Sequence, residues 1–193
     1  AHDLWEEQLA YFKVESDDLS EKRTFYTALY HSLIFPGIYN DVDGKYRNMR
    51  YDIKQSEIDN YTVYSLWDTH RAFHPLLTII KPDYNQALIR DLISKYEEGG
   101  ILPMWELASN YTGTMIGSHA VSVIVDAYMK GQRDFDVDKA LEAIIHSVQY
   151  DTVSDISYPS EQAWGNLMPK AKMYEEMHGF IPCDLEKASV SKA

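Results

Sequence analysis

The chain has 193 residues and a formal charge of −12, with 45% hydrophobic and 25% charged residues. The acidic excess argues against duplex nucleic acid or an anionic membrane as the main partner, and the composition excludes wholesale disorder and allows a sizeable core in one domain. No run approaches the ~20 apolar residues of a membrane span, and Cys183, the only cysteine, excludes an intramolecular disulfide and a Cys-rich zinc site. The 15 Tyr and 4 Trp suit a core, and equally a concave face that binds sugars. The start, Ala1-His2-Asp3-Leu4-Trp5, lacks the basic-then-apolar order of a signal peptide, and the sequence does not identify a compartment.

Apolar residues recur at spacings of three and four, so the chain reads as all-α, one helical domain over 1–193. Leu4, Leu9 and Phe12 mark a first helix. After Glu15-Ser16-Asp17-Asp18, a second runs from about Ser20 to Leu33 and ends before Pro36-Gly37. The following residues to Thr62 read as loop with room only for short strands. Leu66, His70, Phe73, Leu77 and Ile80 predict a third helix from Val63 to Ile80, stopped by Lys81-Pro82. Tyr84, Leu88, Leu92 and Tyr96 make a fourth, closed by Gly99-Gly100. Ile101 to Asn110 reads as loop. A fifth helix is predicted from Thr114 to Met129, with Gly117 in its first turns, and a sixth after Asp136, which can cap it. Ser160 to Met177 allows one or two helical pieces interrupted by Pro169, and Ile181-Pro182-Cys183-Asp184 reads as exposed loop.

No single constellation decides the chemistry. Asp41-x-Asp43-Gly44 begins like a calcium loop, but the sixth and twelfth places hold Tyr46 and Asp52 instead of Gly and Glu, which favours a solvated turn. His70 and His74 have the spacing of a two-histidine metal site without the Glu of a zincin, which favours core or helix-capping roles over metal binding. Trp67-Asp68-Thr69-x-Arg71 sets a carboxylate, a guanidinium and an indole within one turn. Asp68 either faces a cavity or pairs with Arg71 at i, i+3. Glu106, beside Trp105, either orients a sugar hydroxyl or faces solvent.

Several segments, in order, carry a resemblance: Thr24 to Tyr30, Asp41 to Arg47, Tyr64-Ser65-Leu66-Trp67-Asp68-Thr69-x-Arg71-Ala72, His74 to Thr78, Met115-Ile116-Gly117, Asp126-Ala127-Tyr128-x-Lys130-Gly131, Phe135 to Ala140, Gly179 to Pro182 and Ser189 to Lys192. On these the chain resembles glycoside hydrolase family 92, the calcium-dependent, inverting exo-acting α-mannosidases. The resemblance implies part of an (α/α)6 toroid that packs against an N-terminal β-sandwich domain, with a mannose-containing glycan as substrate, α-1,2 linkage preferred, in enzymes that are often exported. It places Trp67, Asp68, Arg71, Trp105, Tyr111 and Thr112 on the sugar pocket. The general acid, the water-activating carboxylates and the Ca2+ ligands are expected downstream of Ala193, so this chain alone is expected to be inactive. Its apolar helix faces are expected to drive self-association. Many members carry an acidic residue and Thr where this chain has Asn110-Tyr111-Thr112-Gly113, a departure that bears on linkage preference. The competing reading is a non-catalytic helical module that binds a glycan or a protein.

Overall fold

The computed structural model describes residues 2–148 and 170–182. Within them the helices are α1 (His2–Leu9), α2 (Leu19–Ser32), α3 (Leu66–Thr69), α4 (Phe73–Ile80), α5 (Pro82–Gly99), α6 (His119–Met129), α7 (Val137–Val148) and α8 (Lys170–His178). The strands β1 (Gly37–Ile38), β2 (Lys45–Arg47), β3 (Ile53–Gln55), β4 (Tyr61–Thr62), β5 (Tyr64–Ser65) and β6 (Trp105–Glu106) form three antiparallel two-stranded ribbons, β1 with β4, β2 with β3 and β5 with β6. Helices dominate, as the spacing predicts. No helix among the described residues is long and apolar enough to cross a membrane.

Local signals set several helix ends. The Asp18 carboxylate accepts the Ser20 N–H at 2.7 Å and opens α2, and Asp136 accepts the Lys139 N–H at 2.9 Å before α7. Pro82 occupies the first turn of α5, where a missing N–H costs nothing, and Gly100 closes the helix with φ 96°. Helix α5 is the axis of the core. Its Leu88, Ile89, Leu92 and Ile93 pack with Leu77 and Ile80 of α4, Val123 and Ile124 of α6, and Ala140 and Ala143 of α7. The β2–β3 hairpin is tied to the C-terminal end of α5, where Glu98 accepts the Tyr46 hydroxyl at 2.5 Å and the Met49 N–H at 3.1 Å.

Two expected helices start elsewhere. The Val63–Ile80 helix is divided: 61–65 contribute to two ribbons, α3 is one turn, and α4 begins afresh at Phe73. Val63 takes φ 66°, which ends one ribbon and starts the next. Pro75 has no N–H and would clash with the Arg71 carbonyl, so the helix restarts with Pro75 in its first turn. Similarly, Met115 (φ 65°) and Gly117 (φ 82°) are left-handed, and α6 begins only at His119. In the Ser160–Met177 stretch α8 is seen, while Pro169 and the residues before it, with Cys183, Asp184 and Ser189 to Lys192, lie outside the described residues.

Candidate active site

The β5–β6 ribbon builds the site. Its register pairs Tyr64 with Glu106 and Ser65 with Trp105, and because strand side chains alternate, the first pair enters the core while the second points outward. Helix α3 follows directly, with Ser65 as its N-cap residue. The Ser65 hydroxyl does not cap the helix backbone. It donates to Asp68 Oδ2 at 2.6 Å and accepts the Trp105 indole N–H at 2.8 Å. Thr112 holds the other edge, with its hydroxyl donating to the Trp105 carbonyl at 2.9 Å and lying 2.7 Å from the Thr114 hydroxyl.

Asp68 is exposed, and it does not pair with Arg71, whose guanidinium lies over the Trp67 ring at 5.4 Å. Trp67 meets the edge of His119 at 5.3 Å, and His119 stacks on His70 at 3.9 Å with the rings 11° from parallel. His70 Nδ1 lies 2.9 Å from the Leu66 carbonyl and 3.0 Å from that of Trp67, so this nitrogen carries the proton and caps α3. Desolvation, then the neighbouring His70 and Arg71, depress the basicity of His119. His70 and His74 take the helix-capping and core roles favoured over a two-histidine metal site. The break before α4 turns His74 into the core against Asn85 Oδ1 at 3.2 Å, where burial lowers its pKa to about 4.

The structure therefore brings Trp67, Asp68, Arg71, Trp105 and Thr112 to one face and sends Tyr111 elsewhere. Tyr111 is buried, with its hydroxyl bonded to the Ile101 carbonyl. Glu106 fits neither of its two expected roles. Its carboxylate is fully buried beneath the ribbon, where Lys95 Nζ approaches at 3.6 Å, because the pleat directs it opposite to Trp105. Ser65 and His119 had no signal of their own in the sequence. Asp91 and Lys95 did, as charged residues on the same helical stripe as Leu88, Leu92 and Tyr96.

An indole face, a carboxylate with one oxygen unbonded and a guanidinium suit a polyol ring, which offers an apolar face and a rim of hydroxyls. None of Ser65, Trp67, His70, Arg71, Trp105, Thr112, Thr114 and His119 supplies a second carboxylate. For calcium, the described residues do not fit. The one grouping of three ligand types within 4.8 Å is His2, Asp3 and Glu6, exposed on α1 and including an imidazole, whereas Ca2+ takes six to eight oxygens. At the Asp41–Gly44 turn, Asp43 is engaged with Lys45 at 2.6 Å.

Comparison with known proteins supplies a family. The sequence matches the model of the glycosyl hydrolase family 92 catalytic domain over residues 1–193. The α-mannosidase BT3965 of Bacteroides thetaiotaomicron, solved with mannoimidazole, is 34% identical over 95% of this chain and 22% of its own, with a TM-score of 0.79. The inverting mannosidase BT2199 from Bacteroides thetaiotaomicron VPI-5482 is 31% identical over 94% of this chain and 24% of its own, with a TM-score of 0.75. The chain thus spans about a fifth to a quarter of the length of these enzymes. Among curated proteins, none matches.

Proposed function

The chain belongs to glycosyl hydrolase family 92, and from that premise we propose that it forms one wall of the pocket in which an inverting exo-α-mannosidase holds a terminal, α-1,2-linked mannose. The observation that carries the reading is the Trp105 to Ser65 to Asp68 chain of hydrogen bonds beside the Trp67 ring. Trp67 packs on the apolar face of the sugar, the unbonded Asp68 oxygen accepts a ring hydroxyl, and Arg71 closes the indole from above. Trp105 and Thr112 hold the opposite edge.

Inversion needs a general acid and a general base ~6.5–9.5 Å apart. Among the described residues no second carboxylate is seen beside Asp68 on this face, and in this reading the acid, the base and the calcium ligands are supplied by the rest of the enzyme. In this reading the chain is one domain, a stretch of an (α/α)6 toroid, and its partners are the remaining helices and a β-sandwich domain. Exposed Ile79, Met129 and Leu141 mark faces those helices would cover. No catalytic step is assigned to a residue of this chain, which binds and orients.

The test is Asp68→Ala in an enzyme that carries this chain together with the acid and base. A charged hydrogen bond lost in the transition state should lower kcat/KM at least ~10-fold, with the melting temperature unchanged. Normal kinetics with a lowered melting temperature would mean that Asp68 only anchors the Ser65 hydroxyl.

A further inference from the structure

Behind the pocket wall lies a second polar group that the proposed sugar never touches. Asp91 and Lys95 sit one turn apart on α5, Glu106 reaches in from β6, and the three side chains are 1%, 3% and 0% exposed. Lys95 Nζ stands 3.6 Å from both Asp91 Oδ2 and Glu106 Oε1. The Tyr64 hydroxyl donates to Asp91 Oδ2 at 2.7 Å. Apolar side chains of similar volume usually serve a core as well as a buried ion cluster does, so a cluster of this kind suits a task other than stability.

The task is visible in what Glu106 holds. Its Oε1 accepts the Ser109 N–H at 2.5 Å and lies 3.2 Å from the Thr62 hydroxyl, which accepts the Ala108 N–H at 2.6 Å. Around this carboxylate three residues other than glycine take left-handed backbone, Val63 at φ 66°, Ala108 at 49° and Ser109 at 58°. Such conformations are disfavoured, for a β-branched residue most of all, and persist only where the surroundings over-determine them. Val63 turns the chain out of the β1–β4 ribbon into β5. Ala108 and Ser109 turn it back after β6, so that Thr112 returns to the Trp105 carbonyl. Glu106 is thus bonded on both sides of the ribbon whose outer face carries Ser65 and Trp105.

We infer that Glu106, its charge balanced by Lys95, is a positioning residue for the pocket: from the core face of the β5–β6 ribbon it fixes the register that aims Trp105 and Ser65 at Asp68. A slip of one residue would exchange the two faces, burying Ser65 and Trp105 and expelling Tyr64 and Glu106. The inference deepens the proposed mannose pocket and rests on it for its relevance, but the ribbon can be tested without any sugar.

The experiment uses proton–nitrogen NMR of this chain, with the indole N–H of Trp105 as reporter and that of Trp5, far along the chain on α1, as control. Glu106→Gln keeps the shape and removes the charge. It should speed exchange of the Trp105 indole proton at least ~10-fold while the α5 and α6 amides change less than ~3-fold. Thr62→Val, which removes only the hydroxyl between Glu106 and Ala108, should act in the same direction and covers the case in which Glu106→Gln fails to fold. Lys95→Arg, which keeps the charge, should leave Trp105 protected. Unchanged Trp105 exchange in both Glu106→Gln and Thr62→Val, or equal acceleration across the whole chain, overturns the inference.

A second arm adds methyl α-D-mannopyranoside as the probe. Shifts of Trp67 and Trp105 in the unmodified chain, weakened at least ~5-fold in Glu106→Gln, support both readings. Shifts of equal size in the variant overturn the positioning role. No shift in the unmodified chain counts against the pocket reading alone, and the exchange arm then decides on Glu106.

Discussion

Helices α5 and α1 mix apolar and charged residues in similar ways and end at opposite extremes of burial. In α5, ten residues are buried, among them Asn85, Gln86, Asp91 and Lys95, while α1 has no buried residue. The reason lies in their neighbours. Helix α5 is packed by α4, α6, α7 and the β5–β6 ribbon, whereas α1 rests on α2, through Trp5 edge-on to Tyr30 at 4.6 Å, and on Lys81, which bonds Gln8. An apolar stripe predicts that a helix exists. How deeply it lies depends on how many elements converge on it, and that is set at long range.

The contrast is most easily broken at Leu92. Leu92→Ala should cost about 2–5 kcal/mol in urea unfolding, because the fully buried site leaves a cavity that α4, α6 and α7 cannot collapse. A cost below about 1 kcal/mol would show that the α5 environment is loosely packed.

Next in size is a pair of opposed pH responses inside this core. His74, with its pKa lowered to about 4 from 6.5, binds its proton more readily when unfolded, so its contribution is present above pH 6.5 and is lost as the pH falls toward 4. The full difference is on the order of 3 kcal/mol. Asp91 runs the other way. Burial pushes its pKa up to about 7 against the pull of Lys95, so the native state holds the proton longer and stability falls as the pH rises from about 4 to 7. The two partly cancel in the native protein. Relative to it, Asp91→Asn should make stability climb more steeply between pH 4 and 6.5, and His74→Phe should make it climb less or fall. Chemical denaturation across that range checks both slopes, and parallel curves for all three proteins would refute the assignment.

Smaller effects belong to the ends and the periphery. Gly100→Ala places a Cβ on a left-handed cap and should cost about 1 kcal/mol in thermal unfolding. Trp5→Ala should cost less than about 1 kcal/mol globally while raising amide exchange in α1 alone, since the helix is attached by ring edges. A global loss as large as that of Leu92→Ala would erase the distinction between the two helices.

What the sequence discloses follows the same division. The start of α2 at Asp18, the span of α5 between Pro82 and Gly100, and the cap of α7 at Asp136 depend on residues within a turn of one another, and all were legible. The division of α3 from α4 depends on Val63 leaving one ribbon for another whose second strand is forty residues away, and no local periodicity carries that. Pro75 was the one nearby warning, since a helix entering at 63 could not pass through it. At the site, Trp67, Asp68 and Arg71 were readable because they share one turn. Ser65 owes its role to a partner brought in by β6, and the burial of Glu106 to a register that the sequence leaves unstated.

Gly117 carries two constraints at once: its φ is 82°, and a Cβ there would lie 2.4 Å from His119 Nε2, on a ring already stacked against His70. In a saturation library the position should therefore tolerate glycine alone, whereas Gly131, at φ 85° with nothing within 4 Å of its Cβ position, should also accept Asn, which visits left-handed backbone readily. Removing the imidazole should relax only one of the two constraints. His119→Ala ought to make Gly117→Asn selectable while Gly117→Val stays excluded, so that the two positions behave as an epistatic pair and the histidine stack sets which neighbours the sequence can explore.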